Sequence, residues 1–148
     1  MDKGRILAID YGQKSIGLAV SDTARLMAFG RGVLRNIPGE EAFTQVLLKL
    51  VNLMKVEDIS LVLIGLPLGP NQEETVQTAK IRLFSEKLRG FMKISELDIP
   101  IEFIDESFSS YEANKILSGI GVKSVDQKKT EDEMAAIVLI HRYIDFKP

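Results

Sequence analysis

The chain has 148 residues, 45% of them hydrophobic and 27% charged, and contains no cysteine. That length and composition suit one domain, residues 1–148, with a real core; without cysteine there are no disulfides, thiolate metal sites or cysteine nucleophiles, and a reducing, cytoplasmic setting is expected. A net charge of −2 excludes a globally basic nucleic-acid or membrane-surface binder, and with neither a leader pattern nor an apolar run near ~18 residues, no membrane partner is expected.

Residues 5–10 (RILAID) form a short apolar run closed by Asp10-Tyr11-Gly12, which predicts a buried strand ending in a turn. Residues 15–21 (SIGLAVS) restart too soon for a crossover helix, so they predict a second strand antiparallel to the first. A third strand is predicted over 25–35, irregular at Gly30-Arg31-Gly32 and stopped by Pro38-Gly39. Over 40–56, Phe43, Val46, Leu47, Leu50, Leu53 and Met54 recur at spacings of three and four, a helical stripe. The continuous apolar run 59–65 (ISLVLIG) predicts a central strand covered on both faces. A second helix is predicted from about Glu73 to Phe91, with Val76, Ala79, Leu83, Phe84 and Leu88 facing inward. Residues 101–105 predict a fifth strand, and Ser109-Ser110-Tyr111-Glu112 a capping box opening a helix over 109–117. Residues 118–129, glycine- and lysine-containing, predict a mobile loop. Thr130-Glu131-Asp132-Glu133 is a second capping-box pattern, with Thr130 as N-cap of a last helix carrying Met134 to Ile144.

This order predicts a three-layer α/β fold. Its five-stranded mixed sheet begins as an antiparallel meander, continues with strands parallel to the first through right-handed crossovers, and carries helices on both faces. Ligands in such sheets bind beyond the carboxyl ends of the parallel strands. Asp10, Gly65 and Asp105-Glu106 fall at that edge.

Asp10 ends an apolar strand, where a partly shielded carboxylate requires a cation or donors; an Asx turn before Gly12 is the plainer alternative. Adjacent strand residues face opposite ways, so only one of Asp105 and Glu106 reaches a site shared with Asp10, and Glu106 is favoured over a pair of solvated loop acids. Asp132, as a first-turn residue, would suit the helix dipole alone, yet its stripe continues through Ala135, Ala136 and Leu139, small enough for close approach to the sheet. Carboxylates from positions 10, 106 and 132 meeting at one spot would repel unless cations lay between them, and hard oxygen ligands select Mg²⁺ or Mn²⁺. Two such ions about 4 Å apart can activate water and steady the leaving oxygen in phosphodiester cleavage.

Positive charge near these acids comes from Lys123, Lys128 and Lys129, just before Asp132, where it could draw in a phosphate backbone. Lys80, Arg82, Lys87, Arg89 and Lys93 on the second helix read more simply as a solvated face. Tyr11 is the one aromatic placed beside Asp10 to stack on a base. His141, three turns into a helix, reads as structural.

The run ILAIDYGQKSIGLAVSD over residues 6–22 resembles the opening of the YqgF (RuvX) family, proteins of ribonuclease H-like fold described as Holliday junction resolvases and as nucleases that mature the precursor of 16S ribosomal RNA. Ile64-Gly65-Leu66-Pro67-Leu68, Asp105-Glu106 with Ser109-Ser110-Tyr111-Glu112-Ala113, and the segment from Asp132 to Ala136 resemble three further family blocks, in family order over nearly the whole chain. The resemblance implies Asp10, Glu106 and Asp132 as metal-binding catalytic acids; Lys14 matches a basic family position beside the first acid and is either a phosphate contact or a solvated turn lysine. The resemblance implies a metal-dependent nuclease acting as monomer or homodimer, with precursor ribosomal RNA the preferred substrate and branched DNA the second. Two departures bear on substrate grip: Ser107 stands where the family often has Arg, and loop 68–73 lacks an Asn-Met-Asp-Gly type of sequence. Two other classes remain: a nucleic-acid or ribosome-assembly binding module with a vestigial site, and an ATP-dependent kinase suggested by the Asp10-Gly12 hairpin. Length opposes the second, because such kinases close a cleft between two domains of this type.

Overall fold

In a computed structural model that describes residues 3–106 and 127–146, the chain forms β1 (Arg5–Tyr11), β2 (Ser15–Ser21), β3 (Ala28–Arg35), α1 (Glu40–Val56), β4 (Ile59–Leu66), α2 (Val76–Ile94), β5 (Ile101–Asp105) and α3 (Gln127–Phe146). The sheet order is β3-β2-β1-β4-β5. Strands β1, β2 and β3 pair antiparallel, whereas β4 runs parallel to β1 and β5 parallel to β4. This is the mixed five-stranded sheet that the sequence predicts.

Strand alternation sorts side chains between two layers. Leu7, Ile9, Ile16, Leu18, Val20, Val62 and Ile64 face α1 and α2, meeting Leu47, Leu50, Ile81, Phe84 and Leu88. Ile6, Ala8, Ala19, Leu61 and Leu63 face the other way and pack against Ala136, Leu139 and Ile140 of α3. Ala8, Ala19 and Ala136 lie in this second layer, and α3 comes close to the sheet at Gly17, where a Cβ would meet the Asp132 carbonyl. No helix among the described residues is long and apolar enough to cross a membrane.

Three local expectations are corrected. β3 begins at Ala28 rather than residue 25, because Asp22 caps a tight turn: its Oδ1 accepts from the backbone N–H of Leu26 and of Met27, each at 2.8 Å, and Arg25 has φ 58°. α2 begins at Val76 with Thr75 as N-cap, its hydroxyl accepting from Thr78 N–H at 3.2 Å while Thr78 Oγ1 accepts from Thr75 N–H at 2.7 Å. The buried face of α2 is Thr78, Ile81, Phe84, Ser85, Leu88 and Met92; Val76, Ala79 and Leu83 of the predicted stripe are exposed. Finally, α3 starts at Gln127, so Thr130 lies inside the helix and is not its N-cap. The Glu133 carboxylate, which a capping box would turn back toward Thr130, instead accepts from the backbone N–H of Gly32 at 2.8 Å. The predicted helix 109–117 and most of the predicted loop 118–129 lie outside the described residues.

Candidate active site

Asp10 follows Ile6 and Ala8 on the α3 face of β1, directly across from Gly17 of β2. Gly17 is where α3 touches the sheet: a Cβ there would run into the backbone carbonyl of Asp132. The missing side chain therefore lets the α3 backbone down beside Asp10. Ser15, two residues earlier on the same face of β2, donates from Oγ to Asp132 Oδ2 at 2.8 Å. Glu133 lies over Gly30, and its bond to Gly32 N–H ties the helix to β3. The Asp132 backbone and carboxylate are thus both seated on β2.

Glu106 extends β5 by one residue, its N–H donating to the Leu66 carbonyl at 3.1 Å. Alternation places Ile104 on the α3 side of the sheet and Phe103 on the other, so Glu106 shares the face of Asp10 and Asp105 does not. Glu106 packs over Gly65, where a Cβ would lie 2.8 Å from its Oε2. Asp105 instead accepts a long 3.5 Å bond from Gln72 Nε2 on the opposite side.

Asp10 and Glu106 are half-buried and hydrogen-bonded to each other. Burial pushes the Glu106 carboxyl up to about 10, reinforced by the hydrogen bond and the negative charge of Asp10. Burial raises Asp10 as well; the Glu106 hydrogen bond opposes that rise and the charge of Asp132 adds to it. Glu106 therefore carries the proton and donates to Asp10, a pairing of two acids in which one is kept neutral. Among the described residues, no three Asp, Glu, His or Cys side chains are already arranged as a metal-holding group. The donor chemistry suits a hard cation, since three carboxylates share the face and the contacting pair must hold a proton to coexist. Taking up such an ion requires Glu106 to release that proton and the Asp132 carboxylate to join the pair.

The remaining predicted residues divide. Lys14 is exposed on the turn between β1 and β2. That turn is held by Asn36, whose Nδ2 donates to the Gly12 carbonyl at 2.7 Å and whose N–H donates to the Lys14 carbonyl at 2.9 Å. Tyr11 is not free to stack on a base: its ring lies across the sheet from Asp10, stacked on Phe84 at 4.2 Å between centroids. Lys128 and Lys129 belong to the first turn of α3 rather than to a loop, and Lys123 lies outside the described residues. On α2, Arg82 pairs with Glu74 at 2.7 Å and covers the Phe103 ring, and Arg89 lies 3.7 Å from Glu86. Those cations act on their own surface.

Three residues escape the sequence reading. Ser15 is the polar head of an apolar strand, a signal recoverable by pairing the hairpin and noting that it shares a face with Gly17. Arg35 is directly opposite Ser15 in the β2–β3 pairing and is exposed, so it lies at the same hairpin edge as the residue that holds Asp132. Arg142 donates from Nη1 to the Asp105 carbonyl at 2.9 Å, fixing the strand end that carries Glu106; nothing in its sequence surroundings signals this. An open pocket lined by Arg89, Met92, Lys93, Leu97, Ile99 and Ile101 lies at the start of β5, away from the acids.

Solved structures of like architecture include Thermus thermophilus RuvC in complex with Holliday junction substrate, with a TM-score of 0.63 at 16% identity over 97% of this chain and 96% of that one. A second is the fowlpox virus resolvase with Holliday junction DNA, at TM-score 0.56 and 14% identity over 95% of this chain and 97% of that one. At such identities the structural overlap shows the fold alone, the ribonuclease H-like fold of RuvC-type resolvases. In sequence, the family model described as "RuvX: Holliday junction resolvase" matches residues 4–146. Proteins named "Putative pre-16S rRNA nuclease" from Dictyoglomus turgidum and Bacteroides fragilis are 35% and 34% identical, covering 95% and 97% of this chain and 94% and 97% of their own lengths. The chain belongs to the RuvX family.

Proposed function

We propose that this protein is a nuclease, dependent on Mg²⁺ or Mn²⁺, that hydrolyses phosphodiester bonds in nucleic acid and processes the 5′ end of precursor 16S ribosomal RNA. The observation that carries the reading is the gathering of Asp10, Glu106 and Asp132 on one face of the sheet, at the carboxyl edge of its parallel strands. The named relatives support the choice of RNA substrate. The family description supports a second substrate, the four-way DNA junction.

In this mechanism Asp10, Glu106 and Asp132 hold the metal, which when bound supplies positive charge to the scissile phosphate and its leaving oxygen. Glu106 enters the set by giving up the proton it shares with Asp10. Gly17 and Gly65 keep side chains out of the space where the backbone of α3 and the carboxylate of Glu106 meet the sheet. Lys14 on its braced turn takes a flanking phosphate, and Lys128 and Lys129 in the first turn of α3 add positive charge before Asp132, as does Lys123 in the sequence ahead of them. Burial of the acids limits competing solvent and strengthens each electrostatic contact.

The test is cleavage of a precursor 16S transcript and of a four-way DNA junction by purified protein, in Mg²⁺, in Mn²⁺ and in EDTA, alongside Asp10→Asn, Glu106→Gln and Asp132→Asn. The expected result is metal-dependent cleavage of the RNA, reduced about 100-fold or more in each folded variant. Full activity of Asp10→Asn would overturn the assignment of the acids. Cleavage of the junction alone would replace the RNA substrate, and tight RNA binding in EDTA with no product in any metal would leave a binding module.

A further inference from the structure

We infer that Ser15 is a positioning residue for the third acid: its hydroxyl fixes the Asp132 carboxylate in the orientation from which it joins the metal set. This rests on the nuclease reading and deepens it. Asp132 sits on α3 and Asp10 on β1, so their relation is set by how the helix meets the hairpin. The helix backbone is located by contact of the Asp132 carbonyl with Gly17. The side chain retains its own torsions, and the charge of Asp10 pushes it toward solvent. The 2.8 Å bond from Ser15 Oγ to Asp132 Oδ2 opposes that push. It joins residues 117 positions apart and is the hydrogen bond found for the Asp132 carboxylate among the described residues. The bond engages Oδ2 and leaves Oδ1 out of it.

The arrangement has the form of an outer hydrogen bond that orients a metal ligand, whose loss typically weakens metal affinity or activity about 10-fold to 100-fold. The test is a titration of the full chain with Mn²⁺, reading free ion by electron paramagnetic resonance, for wild type, Ser15→Ala, Ser15→Thr and Asp132→Asn, with thermal melting of each. Ser15→Ala should weaken Mn²⁺ binding about 10-fold at an unchanged melting temperature, and Ser15→Thr, which keeps the hydroxyl, should restore it. Cleavage by Ser15→Ala should fall at low metal and recover at saturating metal. Unchanged or tighter Mn²⁺ binding by Ser15→Ala, while Asp132→Asn loses the ion, overturns the role of Ser15 alone. Wild-type Mn²⁺ affinity in Asp132→Asn overturns the metal reading beneath it. Equal loss in the Ala and Thr variants with lowered melting temperature assigns Ser15 to packing and overturns the inference.

Discussion

At the scale of single residues, the Asp10–Glu106 pair ties the site to pH. Both carboxyls are raised in the folded protein, chiefly by burial, and Glu106 reaches about 10. A raised carboxyl binds its proton more tightly folded than unfolded, so its stabilising contribution is complete below the ordinary carboxylate range and is lost as pH climbs toward the folded value. Metal-free protein should therefore lose stability from pH 5 to pH 8, by up to about 1.4 kcal/mol per unit for each proton involved. Mg²⁺ should offset the loss increasingly as pH rises, because proton and cation compete for the same oxygens. Glu106→Gln keeps a donor toward Asp10 without a proton to lose, so its urea midpoint in EDTA should vary less between those two pH values. An undiminished slope in that variant would place the titration elsewhere. The choice of Glu106 over Asp105 was legible because strand alternation is a local rule. The bond from Ser15 to Asp132 was not, because it depends on the height at which α3 settles on β2, and that is decided by contacts across the whole chain.

At the scale of elements, boundaries followed the sequence where one local signal dominated. Pro38-Gly39 and a strong stripe fix α1 at Glu40–Val56, and a short turn fixes β2 at Ser15–Ser21. Misreadings arose where two signals competed. On α2, Val76 and Leu83 offer one apolar stripe while Ile81, Phe84 and Leu88 offer another, and only the second meets Leu47 and Leu50 across the layer. The capping pattern at Thr130 lost to a helix that begins a turn earlier and to the bond from Gly32 to Glu133. The contact of α3 with β2 is the element pairing on which the proposed chemistry depends. Gly17→Ala adds a Cβ against backbone rather than against a flexible side chain, and should destabilise the fold by about 1–3 kcal/mol, as overpacking does. It should also weaken Mn²⁺ binding, because Asp132 rises with its helix. Ala136→Leu, in the same buried layer, should show both effects together. By contrast, Thr75→Ala removes only the N-cap of α2; a loss of about 1 kcal/mol in urea unfolding with wild-type metal affinity would separate general stability from the seat of α3.

At the scale of the molecule, a net charge of −2 offers a polyanion no general attraction. The distribution of charge carries more information than its sum. Arg82 and Arg89 on α2 are paired with Glu74 and Glu86, and α2 covers the layer of the sheet opposite the acids. Lys14 and Arg35 instead are exposed at the hairpin edge that carries Ser15 and Asp132. RNA binding should therefore depend on few phosphate contacts and fall gently with salt, by about 0.7 in the log–log slope for each contact to a single strand. Reversing both cations, Lys14→Glu with Arg35→Glu, should lower affinity for precursor RNA about 10-fold or more and flatten that slope by roughly 1.4. The same reversal at Lys80 and Lys87, exposed on α2, should leave both quantities near wild type. Filter binding in Ca²⁺ across a salt series gives affinity and slope in one experiment. If the α2 reversal proves the more damaging, the nucleic acid crosses the opposite layer of the sheet, and the acids on the α3 face are not its site of cleavage.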